Sequence, residues 1–228
     1  MKKTLLIGDS IRKGYDAYVR ESMAGLAEVY FPEENCTFTT NILRFLHVWA
    51  DNLKLYDADA VHFNAGLWDT LRIYGDDVLV KPDTYADNLK RIVSRIRFLF
   101  PNAKILFATT TPVREDGYFT DFESRTNDDV RRYNQIARDI FSGTDVILND
   151  LYALAAEFPE SYYSDQTHFY TGIATEKLGG KVCDALCDAL RLDKSQLIKP
   201  ELAPYHYPDR FPGDKEVYVK KGHIYVTR

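Results

Sequence analysis

The feature that most constrains this chain is an alternation. Short apolar runs of strand length are separated, from the first residues onward, by longer segments with helical period. Strands joined through intervening helices run parallel, so the pattern predicts an α/β fold in which a parallel sheet is covered by helices on both faces. Strands are expected at 4–7, 29–31, 60–64, 104–109 and 145–148. Helices are expected over 10–26, 39–55, 84–100, 151–157 and 171–190, with one more carrying Val130, Tyr133, Ala137 and Ile140. Within 84–100, Tyr85, Leu89, Ile92, Ile96 and Leu99 recur at steps of three and four, which makes one buried face. This gives a three-layer α/β/α sandwich with a central parallel sheet of about five strands. Ligands of such open sheets sit beyond the carboxyl ends of the strands, so Gly8 to Ser10, Asn64 to Asp69 and Thr109 to Pro112 should converge on one site.

A chain of 228 residues with 45% hydrophobic side chains can build one core. Residues 1–192 are expected to form that single domain. From Asp193 the helical period fades and four of the nine prolines follow. The segment EVYVKKGHIYVTR then alternates around Lys221-Gly222, which reads as a β-hairpin. Residues 193–228 are therefore expected to be a proline-rich arm, not an independent domain, that packs on its own domain or joins copies into a homo-oligomer.

A formal net charge of −5 offers no basic field for nucleic acid. The opening MKKTLLIGDS has a basic start, but Leu5, Leu6 and Ile7 are too short an apolar core for secretion, and no run is long enough to span a membrane. A cytoplasmic protein without a membrane partner is expected. Three cysteines do not suggest a disulfide framework. Cys183 and Cys187 lie four apart on an expected helix, with no further Cys or His at ligand spacing, so packing is favoured over metal binding.

Two short segments carry chemistry. Ser10 follows a strand and Gly8-Asp9 where a helix begins, so its hydroxyl lies close to unpaired backbone N–H groups. Capping that helix is the competing role. Asp165 and His168 stand as D-x-x-H in a loop before the final helix, where a carboxylate can fix an imidazole tautomer and support its protonated form. There the competing role is a capping histidine beside a solvated aspartate.

Read together, IGDSIRKGY (7–15) resembles the first block of the SGNH/GDSL hydrolases, the GDSL-like lipases and acylhydrolases, and SDQTHFYTGI (164–173) resembles their fifth. The resemblance spans residues 3 to 190 and implies a flavodoxin-like sandwich, a Ser10 nucleophile, a His168 general base oriented by Asp165, and no cofactor or metal. The family builds its oxyanion hole from the nucleophile's own N–H, a glycine N–H in the second block and an asparagine in a G-x-N-D third block. Here Ser10 supplies the first. The second block falls in PEENCTFTT (32–40), which has no glycine, so Cys36 or Asn35 would stand in.

The third block is GLWD (66–69), a variant signature with Trp68 where the family carries asparagine. Asn64, two residues before Gly66, is the preferred substitute, with the backbone around Gly66 beside it. Trp68, Arg72 and Tyr170 are candidates for binding substrate, and Arg114 and Tyr118 for lining the pocket. A packing role is the default for each. Tyr162, Tyr163, Phe169 and Tyr170 could stack on a sugar, although 16 tyrosines make such clustering unsurprising. Asp9 and Asp69 are expected to tie loops together by accepting backbone N–H bonds.

The function this resemblance implies is a serine esterase acting on a small acyl ester, with acetyl on a carbohydrate as first choice among the acetylated carbohydrates, lipids and thioesters that such relatives take. An acyltransferase using the same triad and a catalytically silent ligand-binding protein are the alternatives. A flavodoxin-like nucleotide binder is disfavoured, because Gly8 alone makes no phosphate cradle.

Overall fold

The computed structural model describes residues 1–116 and 122–201, together with the backbone of two strands at 217–220 and 223–226. Five parallel strands form the central sheet: β1 (Lys2–Ile7), β2 (Ala27–Tyr30), β3 (Ala60–Asn64), β5 (Lys104–Ala108) and β7 (Ile147–Asn149), in the order β2-β1-β3-β5-β7. Two further short strands, β4 (Arg72–Ile73) and β6 (Glu123–Ser124), pair antiparallel with each other. Side chains of a strand alternate between faces, and the core divides accordingly. Leu5, Ile7, Val61, Phe63, Ile105 and Phe107 face α2 (Thr39–Asn52), α3 (Pro82–Leu99) and α4 (Asn127–Phe141). Leu6, Ala60, Leu106 and Ala108 face α1 (Ser10–Ser22), α5 (Leu151–Ala156) and α6 (Gly172–Leu190).

This is the expected α/β/α sandwich with five parallel strands, and the ends of the elements show what local patterning misses. Helix α1 ends at Ser22, short of Leu26, because the chain turns through Gly25 at φ +90°. Helix α3 begins at Pro82, whose missing N–H costs nothing in a first turn. The arm's first residues lie on their own domain. Ile198 N–H donates to the Ser22 carbonyl at 2.9 Å, Ser22 Oγ donates back to the Ile198 carbonyl, and Lys199 pairs with Glu176 of α6. The hairpin expected at the end of the arm has its two strands, β8 (Val217–Lys220) and β9 (His223–Val226), paired antiparallel; the turn at Lys221-Gly222 lies outside the described residues. All three cysteines are buried free thiols, and burial pushes Cys183 up to about 12. No helix among the described residues is long and apolar enough to cross a membrane.

Candidate active site

Strand β1 ends in a turn that admits no side chain. A Cβ on Gly8 would stand 1.9 Å from Asn64 Oδ1 and 2.7 Å from Arg12 Cβ, so only glycine lets β3 and α1 approach this closely. Asp9 then caps α1, its Oδ1 accepting the Ile11 N–H at 2.9 Å. The capping role that competes for Ser10 is thus filled one residue earlier, and the Ser10 hydroxyl has a different partner. His168 Nε2 lies 2.7 Å from Ser10 Oγ, and His168 Nδ1 lies 2.7 Å from Asp165 Oδ2. The three side chains form one continuous chain of hydrogen bonds between residues 158 positions apart.

The D-x-x-H loop is shaped by Asp165 itself. Its Oδ1 accepts the N–H groups of Thr167 at 2.7 Å and His168 at 2.8 Å, leaving Oδ2 for the ring. Burial pulls the Asp165 pKa up, but the His168 ring and these two backbone donors outweigh it and hold the carboxyl below its ordinary range. It is therefore ionised across neutral pH, the state in which a carboxylate can steady an imidazolium. Further bonds pin the loop: Ser164 N–H to the His168 carbonyl at 2.8 Å, and Arg114 N–H to the Gln166 carbonyl at 2.8 Å. Beneath it Phe158, Tyr162, Tyr163 and Phe169 pack on one another, with the Tyr163 and Phe169 rings 4.4 Å apart.

Tyr170 links both halves of the site. Its hydroxyl donates to the Ser10 carbonyl at 2.9 Å, and its ring stacks on His168 at 4.8 Å with 13° between the planes. The structure thus places this substrate-binding candidate as buried support for Ser10 and His168. Trp68 is half-buried, with the Arg125 guanidinium 5.9 Å above its ring. Arg72 lies on β4, ion-paired to Asp129 at 3.0 Å and Asp77 at 3.7 Å. Arg114 pairs with Asp116 and Glu160, and Tyr118 lies outside the described residues.

Asn64 ends β3 with 4% of its surface exposed, and its Nδ2 donates to Asp9 Oδ1 at 3.0 Å. Gly66 follows at φ +142°, where a Cβ would meet Thr110 Oγ1 at 2.2 Å. Cys36, one of the two stand-ins for the second-block donor, gives its N–H to the Gly8 carbonyl at 3.1 Å, so that donor is occupied. Asp69 is buried and ties the start of α2 by accepting Thr39 N–H at 3.1 Å and Thr39 Oγ1 at 2.5 Å, as expected of a loop-tying carboxylate.

One supporting residue escapes a reading by motifs. Arg12 is fully buried, paired with Asp16 at 2.7 Å, and donates to the carbonyls of Gly8, Pro32 and Glu34. It staples the 32–36 loop to the turn that precedes Ser10. The sequence signal is the i, i+4 pair Arg12–Asp16 beside the apolar stripe Ile11, Tyr15, Tyr18, Val19, which is easily taken for a solvated face.

This constellation, a hydroxyl bonded to an imidazole bonded to a carboxylate at the carboxyl end of a parallel sheet, can carry out nucleophilic acyl chemistry. Residues 6–171 match the model of the GDSL-like Lipase/Acylhydrolase family, and the chain belongs to that family. No curated protein shows significant similarity to it. Among solved structures it is similar to the lipase/acylhydrolase from Enterococcus faecalis, at 20% identity and TM-score 0.62 over 89% of this chain and 100% of that one. It is also similar to the acetyl xylan esterase AlAXEase, at 16% identity and TM-score 0.63 over 81% and 99%. A carbohydrate acetylesterase family member from Sinorhizobium meliloti gives 18% identity and TM-score 0.63 over 84% and 100%. At these identities the likeness establishes the fold.

Proposed function

We propose that the protein is a serine esterase that removes a small acyl group, acetyl foremost, from a carbohydrate alcohol. The observation that carries this reading is the unbroken hydrogen-bond chain Ser10–His168–Asp165 in a member of this family. Ser10 Oγ attacks the ester carbonyl carbon while its proton passes to His168 Nε2, and Asp165 steadies the imidazolium. The oxyanion is met by the Ser10 N–H at the start of α1 and by Asn64, with the Gly66 N–H as third donor. An amide carries two N–H groups, and Asp9 takes one of those on Asn64, which leaves the other for substrate. As the tetrahedral intermediate collapses, the ester C–O bond breaks and His168 returns its proton to the departing alcohol. Water then hydrolyses the acyl-enzyme with His168 again as base.

The variant GLWD block supports a subfamily whose third donor differs from the usual asparagine, and the half-exposed Trp68 is the surface there best suited to stack on a sugar ring. The acetyl xylan and carbohydrate esterases among the structural neighbours support a small acyl group on a carbohydrate. Hydrolysis of p-nitrophenyl acetate, butyrate and octanoate, alongside acetate release from acetylated xylo-oligosaccharides, tests this. Acetate should give the highest kcat/KM, and Ser10→Ala should abolish both reactions. Preference for octanoate would overturn the small-acyl assignment, and transfer of acetyl to added sugar in place of water would establish the acyltransferase alternative.

A further inference from the structure

Asp9 lies beside Ser10, fully buried, where it caps α1 and holds the Asn64 amide. Its Oδ1 is saturated, because its two lone pairs take the Ile11 N–H at 2.9 Å and Asn64 Nδ2 at 3.0 Å. Its other oxygen, Oδ2, is buried with no hydrogen-bond partner among the described residues. The same is true of Asn64 Oδ1, the other end of the amide that Asp9 already holds. Two adjacent side chains thus each leave one acceptor bare. That is the costliest arrangement for buried polar groups, and more so when one of them carries charge.

Turning the amide over does not relieve it. The amide oxygen would then face Asp9 Oδ1 at the same 3.0 Å, acceptor against acceptor. A proton on Asp9 supplies a donor where the carboxylate has none, and the amide already bonded to Asp9 offers the bare acceptor.

We propose that Asp9 is a neutral carboxylic acid whose Oδ2–H donates to Asn64 Oδ1, closing an acid–amide pair that fixes the orientation of Asn64 beside Ser10. Burial pushes the Asp9 pKa up, in keeping with a proton held there, against the opposing bonds from Asn64 and Ile11 and the charges of His168 and Arg125. Asp69, Tyr15, Tyr85 and Cys36 also lie near Asp9 and bring no positive charge, while the buried Arg12 guanidinium, bonded to the Gly8 carbonyl, is paired with Asp16. Two consequences follow. A neutral Asp9 adds no negative charge beside the His168 imidazolium, and Asn64 cannot flip, so its remaining N–H keeps one direction. The second consequence rests on the esterase reading, in which that N–H meets the oxyanion; the protonation of Asp9 does not depend on turnover. Asp9 is on this account a positioning residue.

Infrared difference spectroscopy of the native protein against Asp9→Asn, in H2O and D2O near neutral pH, reads the proton directly. The native protein should show the carbonyl stretch of a protonated carboxylic acid, sensitive to deuteration and absent from Asp9→Asn. In parallel, an asparagine at this position reproduces the donor and acceptor pattern of the neutral acid. Asp9→Asn should therefore keep kcat within a few-fold of native, while Asp9→Ala should lose about 10-fold or more, as expected when an oxyanion donor is set loose. A native spectrum without that band overturns the proposal. So does a folded Asp9→Asn variant with native melting temperature whose kcat is as low as that of Asp9→Ala. If the band is present but the native protein hydrolyses no ester, the esterase reading fails while the acid–amide pair stands.

Discussion

Ser10 begins a helix without capping it, because Asp9 accepts the Ile11 N–H and leaves the serine hydroxyl 2.7 Å from His168 Nε2. Serine is among the preferred caps, so position alone argued for the structural role; the capping aspartate one residue earlier removes that argument. Ser10→Ala should lower kcat/KM roughly 10⁴–10⁶-fold with little change in melting temperature, measured by ester hydrolysis and calorimetry. Tyr170 permits a finer test, since it bonds the Ser10 carbonyl and stacks on His168. Tyr170→Phe keeps the stack and loses the hydrogen bond, so stability should fall by about 0.5–1.5 kcal/mol with a modest loss of kcat. Tyr170→Ala loses both contacts and should cost kcat far more than KM. A Tyr170→Ala variant with native kcat would show that the ring does not hold His168.

At the scale of elements, the site depends on how α1 and α6 pack, because Ser10 opens the first and His168 lies just ahead of the second. Their contact is close at Gly179, where a Cβ would stand 2.4 Å from Tyr18 Cδ1 of α1. Gly179→Ala should therefore force the helices apart, destabilising the fold by about 1–3 kcal/mol in denaturant titration and lowering kcat as the Ser10–His168 bond lengthens. Unchanged kcat and stability would place the give in the Tyr18 ring alone. The long elements were legible because apolar residues at helical spacing report a buried face directly, as in Tyr85, Leu89, Ile92 and Ile96 of α3. The ribbon β4–β6 was not, because two residues per strand are too few to show any period. Arg12 is hidden in the sequence for a related reason: a charged residue on an amphipathic helix reads as solvated until the loop it staples is known.

For the molecule as a whole, the five-stranded parallel sheet and the pairing of Ser10 with Asp165 and His168 could be read from the sequence because each end carries a short motif and the fold class says where strand ends meet. The surroundings of Ser10 could not, since the partners of Asp9, Asn64 and Asp69 come from different loops. Asp69 also gives the fold a pH dependence. Burial pushes its pKa up to about 7 from 3.8, so the folded state keeps a proton that the unfolded chain releases at lower pH. Its contribution is full below the unfolded pKa and is lost as pH rises from about 4 through 7, by up to about 4 kcal/mol. Asp69→Asn, which can still accept from Thr39, should flatten denaturation midpoints across that window and leave the protein at least as stable as native near neutral pH. A variant with the native pH slope would move that dependence elsewhere. An esterase built on this triad requires Ser10 to be an activated nucleophile. Incubation with a serine-directed alkyl phosphonate, followed by intact-mass and peptide mass spectrometry, tests this directly. One adduct on Ser10, absent from His168→Ala, is the predicted result. A native protein that stays unmodified while the probe labels a known serine esterase would contradict it and favour a silent ligand-binding protein.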